Sequence, residues 1–249
     1  MNIFEKIADK LKETENEAYC KNETSFELFE ISHCTDTSII GREYPQVDFI
    51  DLEKAHSINY HNKPNTFEFN KITLHKTSKL TDIVSTAAIS AHGFMLSKKA
   101  LDIFTSKNIG KHSIYPANLI HKGASYKYFY LLFDNDITNE IDFKQSTFFI
   151  ANLLGKPQMD VNINSPKEFE STRNKIKKGE FKNIKKSYYL RVKNCVFKNS
   201  INNISFFTLR PLGVTQFINN ELKDKLESNN ITGLSIKSTQ KLKLLSLIH

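Results

Sequence analysis

The sequence predicts an α+β fold built on a mixed, largely antiparallel sheet with packed helices. Two observations carry that expectation. Short segments of helical and of strand periodicity are interspersed without the regular alternation that a parallel βαβ sheet needs. A stretch of strand-helix-strand character also occurs twice, from Gly93-Phe94-Met95-Leu96-Ser97 to Asn108-Ile109 and again from Gly213 to Asn230-Ile231. In each copy a polar residue, Ser97 or Asn219, stands where a helix N-cap must accept an otherwise unpartnered N–H. Behind it Ala100, Leu101 and Phe104, or Ile218, Leu222 and Leu226, form one apolar stripe at helical spacing. Gly110 and Gly233 end the copies, one residue out of strict register. The two similar units are expected at about 93–133 and 206–238 of a single domain spanning 1–249. Both helices should then lie on one sheet, with Phe104 and Leu226 equally deep and Lys99 and Lys223 in solvent.

The remaining elements follow in order. Phe4, Ile7, Ala8 and Leu11 mark one face of an N-terminal helix over Met1–Thr14, and the polar stretch to about Thr24 reads as a linker. Ser25–Ser32 alternates apolar and polar residues as a half-buried strand does, and Val47–Leu52 is a second candidate. Phe67, Phe69, Ile72 and Leu74 fit a strand or hairpin, and Leu80–Ser90 reads as a short helix with Thr81 or Asp82 near its start. Strands are expected at Ser113–Ile120 and Tyr126–Phe133 around a turn at His121-Lys122-Gly123-Ala124. The second of these is apolar on both faces and therefore central. Asp134–Asp142 is acidic and loop-like. A strand over Gln145–Ile150 should stop before Pro157, and Ser165-Pro166 opens a helix running to Lys178. Tyr188–Phe197, Asn203–Leu209 and Leu234–Ser238 complete the set of strands.

Composition narrows the classes. Hydrophobic content of 39% and charged content of 25% are those of a folded chain, with 19 Phe and 9 Tyr in the absence of Trp. Only Cys20, Cys34 and Cys195 occur, with no C-x-x-C pair and no even-numbered framework, as in a reducing compartment. Charged residues interrupt the N-terminal apolar face, so it does not read as a secretory signal. The longest apolar run, near Phe148–Leu154, contains Asn152 and is too short to span a bilayer. The expected location is the cytoplasm, away from the membrane.

A family resemblance rests on motif order. Leu80-Thr81-Asp82-Ile83 is followed by Phe94-Met95-Leu96-Ser97, then Tyr128-Phe129-Tyr130-Leu131-Leu132-Phe133 and Ile141-Asp142-Phe143-Lys144-Gln145-Ser146. Phe206-Phe207-Thr208-Leu209-Arg210 and Ile231-Thr232-Gly233 complete the series. From about Tyr44 onward the chain resembles the immunity-protein domain of bacterial polymorphic toxin systems, the type first described from a myxobacterial gene neighbourhood. It departs from that pattern in a Lys- and Asn-rich insert between Gly155 and Ser200, and in a polar Gln216 where the first copy has Phe94. The resemblance implies an intracellular, non-enzymatic protein that neutralises a cognate toxin by binding it. It names no toxin and no cofactor.

The formal charge of +8 raises the alternative of a nucleic-acid-binding protein. Its candidate site is Arg173, Lys175, Lys177, Lys178, Lys182, Lys185 and Lys186, followed by Tyr188-Tyr189 as a stacking platform. A solvated helix end is the preferred reading, because strand alternation sends the two tyrosines to opposite faces and because Arg is scarce beside Lys. Lys, Asn and Ile are all abundant here, as a base-composition bias alone would make them. A third reading is a docking surface for an acidic protein, which would speed and orient encounter. No zinc spacing is present among His33, His56, His61, His75, His92, His112 and His121. Walker A, G-x-G-x-x-G and G-x-S-x-G patterns are absent as well. A nucleophile pairing Cys34 or Cys195 with a distant histidine is the one enzymatic arrangement left open.

Overall fold

Strand outweighs helix in this chain, at 42% against 22% of the described residues. The α+β expectation is therefore corrected to a predominantly β fold of three sheets. The computed structural model describes residues 27–49, 69–86, 93–152, 154–181, 183–198, 201, 203–209, 215–239 and 242–244. The expected N-terminal helix and linker, the end of the Val47–Leu52 strand and the end of the Leu80–Ser90 segment lie outside them.

The chain begins with β1 (Leu28–His33), the one-turn α1 (Thr37–Ile40), β2 (Val47–Phe49), β3 (Phe69–Leu74), β4 (Ile83–Val84) and β5 (Gly93–Ser97). Next come α2 (Lys98–Thr105), β6 (His112–His121), β7 (Ala124–Phe133), a 3-10 turn at Thr138–Glu140, β8 (Thr147–Ala151) and β9 (Pro157–Val161). The last part holds α3 (Pro166–Lys178), β10 (Tyr189–Phe197), β11 (Phe206–Thr208), β12 (Gln216–Asn219), α4 (Asn220–Ser228), β13 (Leu234–Ser238) and β14 (Leu242–Leu244). They form a six-stranded sheet in the order β2-β3-β6-β7-β5-β4 and two four-stranded sheets, β11-β12-β1-β13 and β14-β10-β8-β9. Two pairings, β3 with β6 and β10 with β14, are parallel, and the other ladders are antiparallel.

The six-stranded sheet curls until its two edges meet. Gln46 sits at the start of edge strand β2, and Ser85 ends edge strand β4. The Gln46 N–H donates to Ser85 Oγ (2.8 Å) and the Ser85 N–H donates to Gln46 Oε1 (3.2 Å). The Gln46 amide nitrogen faces the carbonyls of Ile40 and Lys79 and the hydroxyl of Thr81, while its own carbonyl accepts from His75 N–H. Fully buried, Gln46 thus satisfies polar groups from four segments that water cannot reach. The interior of the curl is filled by Val47, Phe69, Met95, Tyr115, Tyr130 and Leu132 among others. Alternation along β7 explains its two apolar faces: Tyr128, Tyr130 and Leu132 point into the curl, while Leu131 and Phe133 point out to the helices.

The two copies of the repeated stretch share a connectivity. In the first, β5 and β6 run in the same direction, joined by α2, with antiparallel β7 between them. In the second, β12 and β13 run in the same direction, joined by α4, with antiparallel β1 between them. A short antiparallel strand flanks each unit, β4 beside β5 and β11 beside β12. Ser97 Oγ accepts from Ala100 N–H and Asn219 Oδ1 from Leu222 N–H, so both helices carry side-chain caps. The expectation of one common sheet is corrected, because each helix covers its own sheet and the two stripes meet in a single cluster with Phe94, Phe133 and Phe206. The central strands also differ in origin. The first unit takes β7 directly after β6, whereas the second takes β1 from the other end of the chain.

The units hold each other reciprocally. The Ile83 N–H of the first donates to the Thr232 carbonyl in the turn after α4, and the Ser205 N–H of the second donates to the Asn108 carbonyl after α2. The Leu80–Ser90 helix is corrected for the same reason. Thr81 and Asp82, read as a helix start, instead bind neighbours: Asp82 accepts from Thr232 N–H (3.1 Å) and from the Thr232 and Ser97 hydroxyls. Ile83-Val84 then pairs with β5 as a strand. Gly233 makes the contact possible, since at φ +86° a Cβ would stand 1.9 Å from the Ile83 carbonyl oxygen.

Phe104 and Leu226 are 0% and 1% exposed. Truncation to Ala should cost about 3–5 kcal/mol for Phe104 and about 2–5 kcal/mol for Leu226 in urea unfolding. Lys99 is exposed and its replacement by Ala should stay within about 0.5 kcal/mol. Lys223 is no such control, because it is half-buried over the Phe29 ring (5.1 Å) and bonds Glu227 (2.8 Å). Gln46→Ala should lower stability by about 2–4 kcal/mol, since it strands the buried Ser85 N–H and removes the amide donor shared by the Ile40 and Lys79 carbonyls and the Thr81 hydroxyl. A melting temperature unchanged by Gln46→Ala would show that the curl closes without it.

Candidate functional site

The cationic segment belongs to the third sheet. Its helix α3 starts at Ser165, whose hydroxyl accepts from Glu168 N–H, while Glu168 accepts from Asn164 N–H. It ends at Gly179 in the left-handed conformation, where Gly179 and Glu180 N–H groups bond the Ile176 and Lys175 carbonyls. Phe169 and Ile176 face inward, Phe169 against the rings of Phe143 and Phe148. Lys175, Lys177 and Lys178 occupy the last turn on the solvent side, where positive charge complements the helix dipole. Lys185 and Lys186 are exposed on the following turn, with the Lys186 stem beside Gly179. Arg173 reaches Glu170 at 3.5 Å. Lys182 lies outside the described residues. The two tyrosines do face opposite ways. Tyr188 packs on the core beneath α3, while Tyr189 is 45% exposed with the Arg191 guanidinium 5.7 Å from its ring.

Charge along the chain is segregated. Of 35 Lys and Arg and 27 Asp and Glu, 12 and 4 fall between Thr147 and Lys198, which leaves 23 of each for all the other residues. One module, β8, β9, α3 and β10 with its loops, thus carries the whole net charge. A base-composition bias would raise Lys everywhere, so it does not account for this placement. Pairing differs as well. Outside the module Lys98 bonds Asp102, Lys107 bonds Glu221 and Lys223 bonds Glu227, while others such as Lys99 and Lys111 have no carboxylate within reach among the described residues. Within it Arg173 and Glu170 form the ion pair, and Lys175, Lys177, Lys178, Lys185 and Lys186 have no carboxylate within reach among the described residues.

The same module ends in an open edge. Among the described residues β9 pairs with β8 alone and ends its sheet. From Pro157 to Asp160 every residue is exposed, and Met159 is 37% exposed. Leu154, in the turn leading into β9, is 93% exposed. On the other face of this sheet a cleft of about 210 Å³ opens against β1 and β12, lined by Glu30, Phe149, Arg191, Thr215 and Phe217. Sequence reading missed both β9 and the cleft. An exposed edge strand has no apolar alternation to show, and the cleft joins segments distant in sequence. Counting charge by segment was the available signal.

The cysteine–histidine arrangement is not assembled among the described residues. Cys195 is buried in the core between Val192 and Phe197, and burial pushes its thiol up to about 12, far from a nucleophile. Cys34 is buried at the end of β1 and its N–H donates to the Gly233 carbonyl. His33 stands edge-on to Phe94 with ring centroids 5.1 Å apart, its Nε2 closed off from solvent without a partner. Among the described residues no group of three or more His, Cys, Asp or Glu side chains could hold a metal ion. No helix among them is long and apolar enough to cross a membrane.

Burial lowers His33 from its ordinary value to about 4. The unfolded chain then binds the extra proton between about pH 6.5 and pH 4, so stability from this group is complete above that window and falls as pH drops through it. The loss should be on the order of 1–3 kcal/mol. Urea unfolding across the window should show a shallower pH slope for His33→Leu than for the native chain, and equal slopes would contradict the assignment. No protein-family model matches the chain, and no curated protein matches it either.

Proposed function

We propose that this chain is a cytoplasmic immunity protein that neutralises a cognate polymorphic toxin by direct binding, acting without catalysis. The observation that supports the reading is the order of its motifs. Phe94–Ser97 form β5 and its helix cap, Tyr128–Phe133 fill β7, Phe206–Thr208 form β11, and Thr232-Gly233 grip the first unit. The motifs behind the resemblance therefore build the scaffold, and the partner surface has to be sought in side chains that face away from it. Such a protein would cover the toxin's active site or displace part of it, and its specificity would come from surface features that vary independently of the core.

Co-expression with toxin candidates encoded immediately upstream tests the reading. The expected outcome is restored growth together with a stable complex on size exclusion. If none of the candidates is toxic, or none is rescued, the reading falls. The unpaired lysines of α3 favour one rival, a nucleic-acid-binding protein using Arg173 to Lys186. Its signature is a steep loss of affinity between low and physiological salt, as bound phosphates exchange for counterions. Millimolar binding of DNA and RNA at about 150 mM salt would remove it.

A further inference from the structure

We propose that the cationic module captures an extended, acidic segment of a partner polypeptide by adding it as a strand beside β9. The inference rests on the toxin-binding reading only for the source of that segment, the cognate toxin. Three observations converge on it. The module holds 12 Lys and Arg against 4 Asp and Glu while the rest of the chain is balanced. The lysines at the end of α3 have no carboxylate within reach among the described residues, whereas Lys98, Lys107 and Lys223 elsewhere do. The sheet they belong to ends in β9, whose outward N–H and C=O groups have no ladder among the described residues.

The chemistry of the occupant follows from these. A free strand edge is completed by another backbone, which gives main-chain hydrogen bonds while side chains on alternate faces supply specificity. Leu154 and Met159 offer apolar contacts at the same edge, useful to a polypeptide and not to a phosphate chain. Arg, the better fork for phosphate, contributes only Arg173 and Arg191 to the module, and Arg173 is already held by Glu170. A second copy would set one cationic module against another, so β9 is protected from self-pairing by the charge that attracts an acidic strand. Asp160 and the N–H-lacking Pro157 further narrow which register an added strand can take.

The probe is a synthetic peptide of alternating Val and Glu, with a control in which Pro replaces every Val so that its backbone cannot form a ladder. Fluorescence anisotropy at low and physiological salt should show binding of the first and little of the second. Two surface variants separate the contributions, the fourfold K175E/K178E/K185E/K186E and the pair L154D/M159D, each checked for a native melting curve. Each should weaken the peptide at least about tenfold, and the charge variant should also flatten the salt dependence. No binding of the peptide, equal binding of the Pro control, tighter binding of single-stranded DNA of matched charge, or a β9-mediated dimer would each overturn the proposal. Where an upstream toxin is neutralised, neutralisation unaffected by both variants would also overturn it and leave the toxin reading standing. Peptide binding as expected with no toxin rescued would sink the toxin reading alone.

Discussion

Each half of the repeated architecture is held by the other's backbone. The turn after one helix gives its carbonyl to the first strand of the opposite unit, and the opposite turn returns the contact, at Thr232 to Ile83 and at Asn108 to Ser205. Neither helix is long enough to be stable alone in water, so both depend on tertiary contacts to exist. Those contacts come from one shared cluster in which Phe104 lies within ring-contact distance of Phe94, Phe133 and Phe206, two of them from its own unit and one from the other. Because the cluster needs both sheets, the interlock fixes the distance at which the rings can interdigitate. Gly233 is the tightest point of this arrangement.

The β11-β12-β1-β13 sheet is the layer from which the remaining structure hangs. Phe29, Ile31, Phe206 and Ile218 face the helices, while Leu28, Phe207 and Phe217 face the core of the cationic module. Packed between two cores, the four strands of this sheet carry only Glu30 and Lys237 as charged side chains and leave most of the surface chemistry to their neighbours. In this chain that chemistry is divided unequally. The curled sheet and the two helices belong to the part of the chain in which positive and negative side chains are equal in number, and the outer module keeps the excess of positive charge. Exposed ion pairs add little to stability, so what the division mainly changes is the long-range field that a partner meets first.

Sequence periodicity revealed the elements whose side chains alternate between core and solvent or lie on one helical stripe. Both repeat helices, the β6–β7 hairpin, α3 from its Ser165 cap to Lys178, and β13 were legible for that reason. It failed where a residue's partner is remote. Thr81 and Asp82 carry the chemistry of a helix start, and remote partners, Gln46 for the one and Ser97 and Thr232 for the other, make them something else. β9 is polar because it is an edge, so it looked like part of a loop, and that omission together with the Leu80–Ser90 helix tilted the expected fold class away from β. The cationic cluster was visible residue by residue. Its isolation was not, because that depends on where carboxylates are absent in space.

The origin of β1 also sets a timetable for synthesis. The first unit has its helix and all three of its principal strands once Phe133 has left the ribosome, and it can close on local contacts. Leu28, Phe29 and Ile31 emerge far earlier than β12 and β13, the two strands that flank them. At translation rates of about 5–20 residues per second, an apolar strand stays without its permanent neighbours for on the order of ten seconds or more. Through that interval the nascent chain carries a sticky segment that either shelters against the finished first unit or requires a holdase. The burden grows with anything that slows elongation between β1 and β12, so codon usage across the cationic module bears on the yield of folded protein as well as on its charge.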